Sequence, residues 1–522
     1  MDYVYDYDKS THKVLQNNEG VQLYFTNGAR WNMTDTSQIA QLYASHGSVI
    51  DLTYSVNNGD QSTGVTNAFK KLYILKDFSG DGAIVKMNVD GTVDHKENTV
   101  TNSDKLYING THTGTTKIDI TNVGSDYSQV KGTVLAEVAY ENGSFEVKDV
   151  EGELKWTKYT VASTNDGTNE TDWYISDVEE VIAKPDDSKP NPEPSAPDND
   201  KDSGNNSGND NDAKPGTYTT TVKTLLATVT SAYDTWRNDT DKLNERMGEL
   251  RLNGKEAEGV WLRMKGSQFG RHANNGAYEN QQHTYQLGYD VVTSKDDEQT
   301  TYTGVAAEYG KGSLSLERGS GTMRSVGLGL YQTQKRTSGH YLDFVYKFDK
   351  YKNDFHVADT KGQVINGKYG NNAMSLGAEY GRKNALKAGW YVEPQAEVTL
   401  GYMWGNDFTT SNNIRVEQKN MPALIGRFGL NIGREVSDKV NFYVKASINH
   451  DFLGEYDVHM TDLKNGDRLD MDGSYGSSWF DYGAGFSVKA GNDCYAYFDI
   501  ERAVGGEYKK NWDWNAGVRW SF

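Results

Sequence analysis

From Trp512 to Phe522 every even-numbered residue is apolar (Trp512, Trp514, Ala516, Val518, Trp520, Phe522), while the odd ones are Asp513, Asn515, Gly517, Arg519 and Ser521. A period of two describes an extended strand with one apolar face, because successive side chains of a strand point to opposite sides. Ala388 to Tyr402 follow the same scheme: the even positions read Ala, Trp, Val, Pro, Ala, Val, Leu, Tyr, and the odd ones include Tyr391, Glu393, Gln395, Glu397 and Thr399. Cys494 to Glu501 repeat it. Twelve such runs begin near Gly259, Gln282, Thr301, Thr322, His340, Asn371, Ala388, Ala423, Asn441, Ser477, Asp493 and Trp512. An even number of strands, each about ten residues long and joined by turns and polar loops, fits an antiparallel barrel crossing an outer membrane. A water-soluble barrel would turn its apolar face inward. Charged residues on one face and aromatics on the other describe the membrane form better.

Proline usage agrees. Of 8 prolines in 522 residues, six fall between Pro185 and Pro215, and only Pro394 and Pro422 lie elsewhere, as long strand-rich regions require. The proline-bearing segment, residues 183–216, holds almost no apolar side chain and cannot bury enough surface to offset chain entropy, so it reads as a flexible linker and the main domain boundary. A formal charge of −19 without clustered Lys and Arg argues against nucleic acid as a partner. One cysteine, Cys494, leaves no internal disulfide framework and no Cys-rich metal site.

Before the linker, residues 1–65 give weak signals of short strands. From Asn67 the runs KLYILKDF, AIVKMNVDGTV, DKLYINGTHTGTTKIDITNVG, KGTVLAEVAYENGSFEV and GELKWTKYTVA alternate with Asn, Asp and Gly turns. Their spacing of roughly 20 to 25 residues suggests stacked coils of a β-solenoid, with a β-sandwich as the alternative. The opening MDYVYDYDKSTHKV has no basic n-region, apolar run or cleavage site, so no signal peptide is visible: export is not intended, or the chain is a fragment. No run of 18 apolar residues occurs, so no transmembrane helix is expected; a barrel, whose strands alternate, is untouched by that test.

After the linker, residues 217–254 read as a helix. Val222, Leu226, Val229, Tyr233, Trp236, Leu243, Met247 and Leu250 recur at steps of three and four, while the other faces carry Lys, Arg, Asp, Glu, Asn and Thr. From Thr221 to Leu252 such a helix would be about 45 Å long, enough to cross a hydrocarbon core of roughly 30 Å. It is too charged to face lipid, but a polar-lined barrel could hold it. We therefore expect Arg246 and Arg251 beside lumen-facing Glu393 and Glu397. The competing reading is a surface coiled coil, since the apolar spacing is also heptad-like.

The series WRNDTDKLNERMGELR followed by GVWLRMKG resembles the opening of the autotransporter translocator domain of type Va secretion proteins. The matching positions are Trp236, Arg246, Met247, Gly248, Leu250, Arg251, Gly259, Val260, Trp261, Arg263 and Gly266; further matches are QLGYD at Gln286–Asp290, YVEPQAEVTLGY at Tyr391–Tyr402 and the ending at Trp520–Phe522. Upstream, roughly residues 66–178 resemble the C-terminal part of a pertactin-like passenger. The resemblance implies an all-β chain: the end of a right-handed parallel β-helix (residues 66–182), a linker, a pore-spanning helix containing Trp236, Arg237, Leu243, Arg246, Met247, Gly248, Leu250 and Arg251, and a 12-stranded barrel over residues 255–522. It further implies that Glu393, Gln395 and Glu397 line the lumen, and that Trp520 and Phe522 form the signal read by the barrel-assembly machinery. Outer-membrane lipid and the chain's own passenger polypeptide are the other implied partners, with the N-terminal part exposed at the cell surface and the protein a monomer. Some members cut themselves at an Asn-Asn pair just before the Leu-Asn-x-Arg-Met-Gly series; Asp241 and Lys242 stand there, so the same cyclisation is not expected.

No enzyme is expected, nor a cofactor or metal. The ten histidines are scattered without an HExxH pair, no GxSxG or P-loop occurs, and DFSGDGA at Asp77–Ala83 lacks EF-hand spacing and reads as a turn. The function expected is export and display of the chain's own passenger. The runner-up is a surface adhesin whose residues 1–182 bind a host ligand, and the third reading is a barrel enzyme with active residues in its loops.

Overall fold

The computed structural model describes residues 20–54, 69–90, 103–123, 130–165, 170–182, 218–240, 258–271, 276–491, 493–506 and 508–522, together with the short strands Tyr7–Asp8 and Lys13–Val14. The chain divides into two compact units, Met1–Lys184 and Pro185–Phe522.

The first unit is built on three parallel ladders. One stacks Gln22–Phe25, Gln41–Ala44, Phe78–Ser79 and residues 112–113. A second stacks Arg30–Asn32, Val49–Asp51, Ile84–Val89 and residues 117–122. The third stacks Ser37–Ile39, Lys71–Ile74 and residues 105–108. Each coil lies on the next with its strands in parallel, as in a β-helix, and turns Leu42, Ile74, Phe78, Val85 and Ile118 into a common dry core. The coil is longer than the sequence spacing suggests. Trp31 pairs with Ile50, Ile50 with Val85, Val85 with Ile118, and Ile118 with Val147, so the repeat grows from 19 residues to between 29 and 35. Polar excursions at the corners lengthen each coil without changing the inward apolar positions that stack. An antiparallel hairpin, Trp156–Asn165 with Thr171–Val181, pairs with the last coil and covers its open edge.

Among the polar residues buried in this unit, His112 is stacked within the aromatic part of the core. His112 is fully buried between the rings of Phe78 and Phe145, at 5.3 and 4.3 Å. Its Nδ1 lies 2.7 Å from Glu141 and its Nε2 3.0 Å from Thr116 Oγ1, while the Trp173 indole N–H donates to Glu141 at 2.7 Å. Burial alone would raise the Glu141 carboxyl, but the His112 ring and the Gly143 and Trp173 N–H groups outweigh it and hold it below the usual carboxylate range. The group is satisfied on every side, which is what lets it sit in an apolar stack.

The second unit contains a closed barrel. Its strands are β1 (Gly259–Arg271), β2 (Tyr278–Lys295), β3 (Gln299–Leu316), β4 (Gly319–Arg336), β5 (His340–Ala358), β6 (Val364–Arg382), β7 (Trp390–Met403), β8 (Met421–Ser437), β9 (Val440–Asp451), β10 (Ser478–Lys489), β11 (Cys494–Val504) and β12 (Tyr508–Ser521). Neighbours in sequence pair antiparallel throughout, and β12 closes on β1 from Gly259↔Ser521 to Arg271↔Tyr508. The two connections at the far end, after β7 and after β9, add a four-stranded sheet of Asn406–Thr409, Ile414–Gln418, Glu455–Asp462 and Arg468–Ser474.

The barrel is apolar outside and polar inside. Leu262, Leu287, Leu328, Leu400 and Phe428 stand exposed on the outer face, whereas Arg263, Glu308, Asp349, Glu397 and Asp499 are buried on the inner one. A one-residue slip would exchange the two faces on any strand, so the alternation itself fixes the register.

Candidate functional site in the barrel lumen

The helix α1 spans Thr220–Asn238. Its six threonines and one serine are poor helix formers unless their hydroxyls find a partner, and here Thr224, Thr228, Thr230, Ser231 and Thr235 turn back on the helix while Thr221 meets Thr360. Thr224 donates to the Thr220 carbonyl at 2.7 Å, Thr228 to Thr224 at 2.8 Å and Thr235 to Ser231 at 2.8 Å, while the Thr219 side chain caps the start by accepting from Val222 N at 3.2 Å. Nearly every residue from Thr221 to Asn238 is buried.

What buries them is the wall of the barrel, strand after strand. Asn238 donates to Ser267 of β1 at 2.8 Å, and Asn280 of β2 donates to Thr235 at 3.3 Å. Lys347 of β5 donates to the Asp239 carbonyl at 2.9 Å and Tyr369 of β6 to the Thr228 carbonyl at 2.6 Å. Trp236 lies against Gly401 of β7, where a Cβ would run into the indole ring. The Tyr233 hydroxyl donates to Asp451 of β9 at 2.5 Å. Partners on six strands spread around the ring place the helix inside the lumen.

The tightest cluster is at the C-terminal half of α1. Asp234 accepts from Arg271 at 3.2 Å and from the Tyr278 hydroxyl, and pairs with Arg237 at 2.7 Å. The Arg237 guanidinium lies over two rings of the barrel wall, 4.8 Å from Trp479 of β10 and 4.1 Å from Tyr508 of β12, and 6.0 Å from Tyr233 of its own helix. A buried carboxylate and a buried guanidinium thereby compensate each other and tie the helix to the seam strands.

Glu393, Gln395 and Glu397 all face inward on β7. The cation beside them is Arg427 of β8, which donates to Glu397 at 2.6 Å and to Gln395 at 3.0 Å and lies 3.2 Å from Glu379 of β6. Gln395 in turn donates to Glu393 at 2.9 Å. The expected partners Arg246 and Arg251 lie outside the described residues, as do Leu243, Met247, Gly248 and Leu250. The helix residues that share a lumen cavity with Glu397 and Arg427 are Arg237 and Asn238. Trp520 faces outward and exposed on β12, and the Phe522 amide donates to the Glu258 carbonyl at 3.1 Å.

Sequence reading missed a second feature. Six aromatic residues each sit directly across a strand pair from a glycine: Trp261↔Gly288, Tyr331↔Gly304, Tyr341↔Gly381, Tyr391↔Gly433, Tyr443↔Gly485 and Tyr497↔Gly517. There is one per pair of consecutive strands, near the end where Gly259 meets Ser521. At each of these glycines a Cβ would collide with the facing ring. The Trp261 indole donates to the Tyr331 hydroxyl at 2.6 Å and that hydroxyl to Asp290 at 2.9 Å, where Arg519 also donates. This network spans the β12–β1 closure. The recurring aromatic–Gly partners were visible in the sequence only once the register was known.

Among the described residues no group of His, Cys, Asp and Glu could hold a metal ion. Nor is any described helix long and apolar enough to cross a membrane, a test that does not bear on strands.

Residues 260–501 match the Autotransporter beta-domain family. The pertactin autotransporter of Bordetella parapertussis is 29% identical over 301 residues, which cover 55% of this chain and 31% of that protein. The BrkA autotransporter of Bordetella pertussis is 28% identical over 292 residues, 54% of this chain and 28% of that one. Serine protease EspP of Escherichia coli is 27% identical over 298 residues, 22% of its length. The matches thus span about a third or less of these relatives. Among solved structures, the β domain of the Bordetella autotransporter BrkA is 25% identical over 51% of this chain and all of its own, with a TM-score of 0.44.

Proposed function

Given that residues 260–501 belong to the autotransporter β-domain family, we propose that the chain is an outer-membrane translocation unit that carries its own N-terminal passenger to the cell surface and holds it there. The observation that carries this reading is the helix threaded through a closed barrel whose inner wall is polar and whose outer wall is apolar. A lumen lined by Arg263, Glu308, Lys347 and Glu397 gives a polypeptide a hydrated path across the hydrocarbon layer, where an unsatisfied backbone would cost several kcal/mol per group. The helix left in that path then closes it.

In this reading residues 1–182 belong to the surface passenger, with 66–182 as the end of its β-helix, 183–216 are the spacer, and α1 is the plug. The buried pairs Asp234–Arg237 and Glu397–Arg427 hold the plug and its wall, and the outward Trp520 with Phe522 are read by the barrel-assembly machinery. The apolar belt meets lipid, and the protein works as a monomer. The work is transport and display, with no turnover of a substrate.

The test is surface accessibility. The chain, fused to an export signal, is produced in Gram-negative cells, and intact cells are treated with protease. Residues 1–182 are expected to be digested while a barrel fragment stays protected. A folded, membrane-inserted barrel whose N-terminal part stays shielded from added protease would overturn the proposal.

A further inference from the structure

Four basic side chains stand in one cross-strand row on the outer wall of β2 to β5. His283 is the direct partner of Lys311, Lys311 of Arg324, and Arg324 of Lys352. All four are exposed. One step nearer the Gly259–Ser521 end, the outward row is Tyr285, Tyr309, Val326 and, on β5, the exposed Lys350, and the next is Leu287, Ala307, Leu328 and Phe348. On β2 to β4 the basic row therefore begins where the apolar belt ends, and on β5 the cations begin one step sooner at Lys350, with two residues per step, or about 7 Å.

Directly opposed residues on one sheet face bring their Cβ atoms within about 5 Å, and like charges there repel. Among the described residues, Lys311, Arg324 and Lys352 have no carboxylate within ion-pair distance, whereas Lys368 on the neighbouring β6 pairs with Asp354 at 3.1 Å. A fold that aligns unpaired cations at the margin of an apolar belt is complementary to an anion that arrives with its own apolar body. Arginine at the centre of the row favours an oxyanion with several acceptors, since its planar fork can donate twice to one phosphate.

We propose that this strip is a docking site for a membrane amphiphile with a phosphorylated headgroup, its acyl chains lying along Leu328 and Phe348 and its phosphates bridging Lys311, Arg324 and Lys352. The site rests on the barrel being seated in a membrane, with this end towards the cell exterior.

The test uses the full chain in non-ionic detergent. Native mass spectrometry follows its binding of diphosphoryl lipid A, with phosphatidylcholine and inorganic phosphate as comparisons. A one-to-one lipid adduct is expected, absent with phosphatidylcholine and not displaced by inorganic phosphate at equal concentration. The variant K311Q/R324Q/K352Q should bind at least about tenfold more weakly, and Arg324→Gln alone a few-fold more weakly. Arg382→Gln, exposed at the opposite end of β6, should bind as the unmodified chain does. Equal adduct on the triple variant, equal binding of phosphatidylcholine, or displacement by inorganic phosphate would each overturn the proposal. Heat-modifiable migration in gels, recorded for every variant, separates the two readings: failure of the unmodified chain to form that species counts against a membrane barrel, and a folded barrel without adduct counts against this site. Should the triple variant not fold, Arg324→Gln decides.

Discussion

The guanidinium of Arg237, on the last turn of α1, lies 4.1 Å from the ring centroid of Tyr508 on β12, the strand that closes the barrel. This contact joins the plug to the seam. Arg237→Ala removes it together with the pairing to Asp234, which keeps Arg271 and Tyr278 as partners. The loss should be about 1–2 kcal/mol, within the range of a desolvated cation–π contact and below that of a wholly orphaned buried charge. In planar bilayers, Arg237→Ala is expected to open more often and for longer than the unmodified barrel. Identical closed-state conductance would show that this end of the helix is held by other contacts.

The aromatic–Gly pairs predict a defect of a different kind. A methyl group at Gly304 would run into the Tyr331 ring, which also relays the Trp261 N–H to Asp290. Gly304→Ala must therefore push the ring aside and break that relay, at a cost of about 1–3 kcal/mol for overpacking. Refolding into detergent, followed by the heat-modifiable band, should slow and lose yield. Adding Tyr331→Ala should relieve the clash without restoring the relay, so the double variant falls between the two.

In the first unit, burial raises the carboxyl of Asp104 to about 6, against the pull of the Asn88 and Lys70 backbone N–H groups. The folded state therefore binds a proton that the unfolded chain, titrating near 4, has released. Stability is fully present below the unfolded value and falls as pH rises through about 6, by roughly 3 kcal/mol at most. Urea titrations of the whole chain, with unfolding of this unit read by proteolysis, should show the midpoint dropping between pH 4 and 6. Asp104→Asn should flatten that slope while lowering stability overall, because an amide cannot accept from both N–H groups.

How far the fold could be read from residues alone depends on where the signal is local. The twelve strands were legible because burial on the inner face and lipid on the outer one act at every second residue, as at Trp512 to Phe522, where the alternation is complete. The solenoid coil was misjudged because its repeat is set by corner excursions of uneven length, while only the inward positions such as Ile50, Val85 and Ile118 recur. The partner of Glu397 was not legible at all. Arg427 meets it through the registry of β7 against β8, where Glu397 and Arg427 are direct partners 30 residues apart in sequence, and no periodicity along one strand announces that.

That pairing makes the sharpest prediction. Arg427 serves two carboxylates, Glu379 at 3.2 Å and Glu397 at 2.6 Å, and all three groups are almost wholly removed from solvent. Arg427→Gln would leave both carboxylates facing each other without a cation, and breaking a buried pair in this way costs about 3–5 kcal/mol. The charge-neutral set E379Q/E397Q/R427Q removes the whole buried network, so the same reasoning expects most of that loss to return. The temperature at which the folded band disappears in heat-modifiability gels should accordingly fall for Arg427→Gln and recover in the triple variant. If the triple variant were no better than Arg427→Gln, the stability of this wall would lie in the shape and hydrogen bonds of the arginine fork, and its charge would be incidental.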